Sequence, residues 1–284
     1  MANSYLSRSG STPTNSKKFT YSFWVKRTTL GADQAILSYE TDSNNRGTID
    51  FGSSDKFRYF ERVGGSNTIH VEPNRVFRDP GAWYHIVIVT DTTQSTEADR
   101  VKIYVNGVQE TDFATATYPS QNSDTRANGS IAKNIGRRNV NNDYYFDGAL
   151  SHASFVDGSA LAPTVFGETE STSGIWKFKQ PSGVTWGNNG FHLKFENSAA
   201  MGTDSSGNSN TFTVNGNLVQ SVDTPSNVFC TMNPIVSNRS GFTFSNNNTT
   251  VNTPSTSGSA ANMGVKQGKW YFECLINTLG NFYG

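Results

Sequence analysis

The chain has 284 residues, 23 basic against 23 acidic side chains, and no net charge. The length allows about two globular domains with cores of their own, and the charge balance excludes a dedicated nucleic-acid binder, which needs a basic excess. Only 16% of residues are charged, yet mean hydropathy is −0.52, so neutral side chains carry the polarity. Ser, Thr and Asn make up roughly a third of the chain and Asn alone about one residue in ten, well above ordinary usage. With 26 Gly and 12% aromatic residues, neither a helical bundle nor a disordered chain fits. Short strands joined by many turns do. The N-terminus lacks an apolar signal region, which points to synthesis in the cytoplasm. No run approaches the roughly 18 apolar residues of a membrane-spanning helix. Cys230 and Cys274 lie far apart and outside any metal-binding spacing, and read as free thiols.

Strand signals begin with FTYSFWVKR, where Phe19, Tyr21, Phe23 and Val25 share one face and Trp24 takes the other, so both sides of this strand are expected to be covered. QAILSY (34–39), GTIDFG (47–52), KFRYFER (56–62) and NTIHVE (67–72) follow, separated by Asn, Ser, Gly and Asp. WYHIVIVT (83–90) is apolar on both faces and predicts a central strand. In VKIYVNGVQET, Asn106-Gly107 between two strand-like runs predicts a tight hairpin. SIAKNIGR (130–137) and YYFDGALSHASFVDG (144–158) are further strands, and ALAPTVFGE (160–168) is the one short helical turn, with Pro163 at its start. This spacing predicts an antiparallel β-sandwich.

After residue 168 the texture changes. ETESTSG is a polar connector, GFHLKFEN (190–197) a strand with Phe191, Leu193 and Phe195 on one face, and 201–217 a turn-rich stretch ending in a second Asn-Gly pair. The Ser/Thr/Asn-rich run 246–262 reads as a long surface loop. GKWYFECLINTLGNFYG reads as a strand, a turn and the start of another strand, as in a fragment of something longer.

FTYSFWVKR, then GAWYHIVIVTD…RVKIYVNGVQET, then IGRRN…YYFDGALSHASFVDG, resemble in order the LamG-like branch of the concanavalin A-like lectin/glucanase domains. The resemblance implies a jelly-roll sandwich of two antiparallel sheets over 1–168. Residues 155–235 resemble a recurrent module of tailed-bacteriophage virion proteins, and GKWYFECLINTLGNFYG resembles the early strands of a SPRY-like β-sandwich, which would occupy 223–284 as an incomplete second sandwich. Residues 169–222 are then a connector with strands. FHLKFENSAAMGTDSSGNSNTFTVNG resembles the opening segment of a LamG-like domain, displaced to follow its core strands. It either folds back into the first sandwich, as in a circular permutation, or starts a second.

Catalytic patterns are sparse. Paired carboxylates on one strand, the glycosidase arrangement, are absent; Glu40 and Asp42 come closest but run into a turn. His70, His85, His152 and His192 form no metalloprotease or triad motif, and His85 and His152 alternate with apolar residues as packed or sheet-surface histidines would. Arg137-Arg138 reads as a structural or solvated pair. Calcium, which LamG-like folds carry at a loop rim, has only weak candidates in Asp143, Asp147 and Asp204, and Asp147-Gly148 and Asp204 read first as turns. No other cofactor is expected. Sugar rings pack on exposed aromatics while Asn and Asp meet their hydroxyls, so the speculative glycan-binding set is Asn141, Asn142, Asp143, Tyr144 and Tyr145, with Trp186 as a second locus.

Together these readings imply a non-enzymatic structural protein of a tailed-phage virion: a tail fibre, appendage or capsid decoration. It would use a lectin-like sandwich for assembly or host-surface attachment. Its partners would be other virion proteins, further copies of itself (a trimer by analogy) and a host cell-surface glycan, with no nucleic acid and no membrane insertion. A glycan-binding lectin module as the primary function, and a part of a polysaccharide depolymerase, are the alternatives.

Overall fold

The computed structural model describes residues 3–236, 241–252 and 258–276. Its strands run β1 (Tyr5–Arg8), β2 (Lys18–Arg27), β3 (Gln34–Ser38), β4 (Arg46–Phe51), β5 (Phe57–Val63), β6 (Ser66–Pro73), β7 (Tyr84–Asp91), β8 (Val101–Val105) and β9 (Val108–Gln109). There follow β10 (Phe113–Thr117), β11 (Lys133–Ile135), β12 (Gly148–Asp157), β13 (Gly167–Thr169), β14 (Trp176–Phe178), β15 (Phe191–Leu193) and β16 (Thr213–Asn215). A last hairpin joins β17 (Thr243–Ser245) to β18 (Thr250–Asn252). Two short 3₁₀ turns, Glu97–Asp99 and Pro163–Val165, are the helical elements among the described residues.

Two antiparallel sheets face each other. The larger has eight strands in the order β10-β6-β5-β4-β3-β11-β1-β16, the smaller six in the order β15-β12-β2-β7-β8-β9. This is the all-β sandwich that the strand spacing predicts. Because alternate residues point to opposite faces, Phe19, Tyr21, Phe23 and Val25 of β2 meet Ile49, Phe51, Phe57 and Tyr59 of β4 and β5 in one buried cluster. Segment 190–215 supplies a terminal strand to each sheet: β15 pairs with β12, with Phe155 opposite Phe191, and β16 pairs with β1, with Leu6 opposite Val214. Glu61 is a carboxylate fully buried against this core, and four donors satisfy it. Tyr39 and Tyr59 hydroxyls and the Ala127 N–H serve Oε1, and the Arg126 N–H serves Oε2, at 2.9–3.1 Å. Burial nevertheless pushes its ionisation upward, outweighing these hydrogen bonds.

The local chemistry explains the turns. Asn106 (φ 49°) and Gly107 (φ 80°) close the β8–β9 hairpin in the left-handed conformation such a turn requires. Asn supplies six of the eleven non-glycine residues with positive φ among those described, so part of its abundance serves chain reversal.

The outer face of the six-stranded sheet carries a third layer, so β2 is buried on both sides. Trp24 and His85 stack at 4.8 Å, Trp176 of the β13–β14 hairpin stacks on His85 at 5.9 Å, and its Nε1 donates to His85 Nδ1 at 2.9 Å. A bulge in β12 between Ser151 and Ser154 places His152 at φ 48° and against Phe178, with ring centroids 3.6 Å apart. His192 lies 5.8 Å from His152 and stacks on Trp186 at 5.6 Å. Further along β2, the fully buried Lys26 ammonium bonds Asp223 at 2.7 Å and Thr231 at 3.2 Å, which ties 223–231 to the sandwich. Among the described residues beyond 223, one two-stranded ladder (β17–β18) forms, with β17 just before the run expected as a loop and β18 inside its front part. Residues 268–276, read from sequence as a strand, are exposed coil: among the described residues Trp270, Tyr271 and Phe272 have no strand to pair with and no apolar layer to enter. The turn and strand start expected after 276 lie outside the described residues. No helix among the described residues is long and apolar enough to cross a membrane.

Candidate functional site

The inner faces of β4, β5 and β6 are spent on the core, so their alternate residues form the outer face of the eight-stranded sheet. Register arranges these in three rows. Arg46 lies opposite Arg62, and Arg62 opposite Asn67; Thr48 lies opposite Phe60, and Phe60 opposite His70; Asp50 lies opposite Arg58. The loop between β11 and β12 adds a wall from Arg138 and Tyr144. All of these side chains but Arg62, which sits at the edge beside Asn67, line a depression of about 170 Å³.

Phe60 is its centre. The guanidinium carbons of Arg46 and Arg62 lie 5.4 and 5.7 Å from its ring centroid, within cation–π range. His70 meets it edge-on at 5.6 Å. Arg58 binds Asp50 through two hydrogen bonds of 2.8 and 3.1 Å. Burial alone would lower the Arg58 guanidinium, but Asp50, Asp33 and Glu72 outweigh it and hold it above its ordinary value. Burial, with Arg58 beside it, pushes His70 below its ordinary value, so it is neutral at pH 7, and its Nε2 is buried with no hydrogen-bond partner.

The wall is locally built. Arg138 binds Asp143 at 2.8 and 2.7 Å and lies 4.1 Å over the Tyr144 ring. Ala35 N–H donates to the Tyr144 carbonyl at 2.8 Å, which fixes the loop to β3. Tyr144 itself has φ 52°, a conformation aromatic side chains rarely adopt, so the loop holds the ring in place at a backbone cost.

Of the residues expected to bind glycan, Tyr144 lines the depression and Asp143 orients Arg138 beside it. Asn142 accepts from Arg137 at 2.6 Å and Asn141 is exposed at the loop tip. Tyr145 turns to the other side of the loop, edge-on to Tyr5 at 6.5 Å. Trp186 does not join them: it stacks on His192 against the opposite sheet, because Asn188 and Asn189 beside it are committed to the N-terminal segment through Thr12, Thr14 and Ser11. The calcium candidates do not make a fitting donor set. Asp143 is ion-paired to Arg138, Asp147 accepts from Thr29, and both Asp204 oxygens accept from the N–H and hydroxyl groups of its own turn and the His192 N–H. Among the described residues no three His, Cys, Asp or Glu side chains group as metal ligands would. Sequence reading missed Arg46, Thr48, Asp50, Arg58, Phe60 and His70. The signal was the polar alternation Arg46-x-Thr48-x-Asp50 and Arg58-x-Phe60-x-Arg62, legible once the opposite face is known to be core.

The profile of the concanavalin A-like lectin/glucanases superfamily, laminin G type, matches residues 2–165, which include the whole depression. The chain belongs to this superfamily. Its lectin-like domain is thus the part that carries the site, while 166–215 adds the covering layer and two terminal strands. No curated protein matches the chain in sequence. Among solved structures it is similar to a heptameric SAP-like pentraxin from Limulus polyphemus, with 18% identity over 56% of this chain and 71% of that one, and a TM-score of 0.39. It is similar to a putative carbohydrate-binding protein from Bacteroides ovatus, with 18% identity and a TM-score of 0.42, covering 78% of this chain and 59% of that protein. It is also similar to the CBM40 of a Ruminococcus gnavus IT-sialidase, with 13% identity over 52% of this chain and 79% of that one, and a TM-score of 0.37.

Proposed function

We propose that this chain is a non-enzymatic structural component of a tailed-phage virion, a fibre, appendage or capsid decoration, whose lectin-like domain holds a host-surface glycan on the outer face of its eight-stranded sheet. The observation that carries the binding reading is the constellation around Phe60: aromatic rings of Phe60 and Tyr144 for a sugar face, with Thr48, Asn67, Asp50 and His70 for its hydroxyls. The depression is shallow and its one lining carboxylate, Asp50, is tied to Arg58. That suits retention of a saccharide rather than its cleavage, which needs two carboxyl groups flanking the bond. The virion reading is supported by the wording of 155–235. Association with other virion proteins and a symmetric homo-oligomer, such as a trimer, belong to the same proposal.

Two measurements test it. Peptides of this chain in purified particles, at a stoichiometry that is a multiple of the particle symmetry, support the virion reading, and their absence overturns it. Fluorescently labelled protein should coat host cells, and Phe60→Ala with Tyr144→Ala should abolish the coating; undiminished coating would remove the site from the account.

A further inference from the structure

We infer that the saccharide held at this site carries an acidic group, a carboxylate or an acid ester, seated between Arg46 and Arg62. The inference rests on the glycan-binding reading and narrows its ligand class.

Arg46 and Arg62 are directly opposite one another on adjacent antiparallel strands. Like charges in that position repel and destabilise the pair of strands. Several arginines of this protein have a carboxylate partner: Arg27 and Arg78 share Asp55, Arg58 has Asp50, Arg75 has Glu110 and Arg138 has Asp143. Among the described residues neither Arg46 nor Arg62 has an acidic oxygen within 4.0 Å. Arg62 spends Nε on the neutral Asn67 Oδ1 at 2.9 Å, and Arg46 Nε is buried without any hydrogen-bond partner. Glu40, which feels the Arg46 charge, accepts instead from the Val140 N–H at 2.8 Å, while burial raises its ionisation and so weakens it as a counter-ion.

Both guanidiniums lie over the same ring, so a sugar seated beside Phe60 would present its substituents to them. Guanidinium groups bind planar acids through paired, charge-assisted hydrogen bonds, stronger than those between neutral groups. An acidic substituent on the outer guanidinium nitrogens therefore cancels the repulsion across the strands and leaves Thr48 and His70 for hydroxyls. Of the three lining arginines, Arg58 and Arg138 are paired with Asp50 and Asp143, which leaves Arg46 as the one without a carboxylate.

The test uses the full chain in calorimetric titrations with four probes: oligogalacturonate, the same oligomer after carboxyl reduction, chondroitin sulfate oligosaccharide and a phosphorylated mannan fragment. At least one acidic probe should bind about tenfold tighter than the reduced, neutral one, in keeping with a charge-assisted contact. Which acidic probe does so separates carboxylate from sulfate and phosphate. Arg46→Gln and Arg62→Gln should each erase that preference, while Lys177→Gln, a charge change on the exposed β13–β14 hairpin, should leave it intact. Equal binding of acidic and neutral probes, or a preference that survives Arg46→Gln, overturns the inference while the glycan reading stands. Failure of every probe to bind overturns both.

Discussion

The layer over the six-stranded sheet makes stability depend on pH in a direction that can be worked out. Burial pushes His85 down to about 3, with His152 contributing. Burial likewise pushes His152 down to about 4, aided by His192 and Lys194, and His192 down to about 4, aided by Lys194 and opposed by Asp204. All three are neutral in the fold at pH 7, whereas in the unfolded chain a histidine ionises near 6.5. The unfolded state therefore binds more protons below that pH. The stability these residues allow is complete above pH 6.5 and is lost as pH falls toward 4. At pH 5 the loss for one such histidine is RT ln(1 + 10^1.5), about 2 kcal/mol. Glu61 and Glu40, raised chiefly by burial, act in the opposite sense, since the fold takes up their protons first. A comparison of variants isolates the histidine contribution. His152→Asn keeps a residue that tolerates φ 48° and removes one titrating group. Urea titrations followed by tryptophan fluorescence, in which Trp24, Trp176 and Trp186 report on the layer, should show the variant less stable at pH 7. Between pH 7 and pH 5 it should lose about 2 kcal/mol less than the parent. Parallel losses in the two proteins would refute the reasoning.

Three further perturbations probe the frame that holds the site. Asp223→Ala strands the Lys26 ammonium in a dry position and should cost about 3–5 kcal/mol in denaturant unfolding. Lys18→Ala, which breaks an ion pair whose lysine is one-third exposed, should cost under about 1 kcal/mol; equal costs would contradict this account of Lys26. Glu61→Gln replaces an acceptor-only group facing four donors with one that brings an N–H₂ of its own, and should lower the melting temperature through a loss of about 1–3 kcal/mol. Gly107→Ala puts a methyl group 2.5 Å from the Trp176 ring at φ 80°, whereas at Gly64 (φ 56°) a methyl meets nothing within 4 Å. Calorimetry should find the first substitution clearly more damaging than the second.

What sequence could reveal follows from periodicity. β2 and β7 announce themselves because strict alternation and a doubly apolar run have few other meanings, and Asn106-Gly107 fixes its hairpin through backbone preference alone. β1, β13 and β14 carry no such signal: YLSR and GET are short and mixed, and they are strands because partners from 133–135 and 176–178 complete their ladders. The GKWYFECLI run shows the reverse, since alternating apolar residues become a strand only beside another strand. The binding candidates divide in the same way. Tyr144 is visible as an aromatic in an Asn-rich loop, but Trp186 looks similar in sequence and is consumed by stacking on His192. The depression arises from registers between three strands: Arg46 faces Arg62 only after the chain turns back between Gly52 and Lys56, and Phe60 faces His70 only after it turns back at Gly64 and Gly65. Asparagine likewise has two roles that composition merges: turns at Asn106 and Asn142, and fully buried amide clamps at Asn128 and Asn189, which with Thr14 and Asn15 all converge on Asp157.

The central claim is that the outer face around Phe60 is where this protein holds its ligand. Aromatic-resonance NMR during titration with the tightest-binding acidic oligosaccharide tests it most directly. The account predicts shifts confined to Phe60, His70 and Tyr144, with Trp24, Trp176 and Trp186 unmoved. Saturable shifts centred on Trp186 and His192, with Phe60 unaffected, would contradict it.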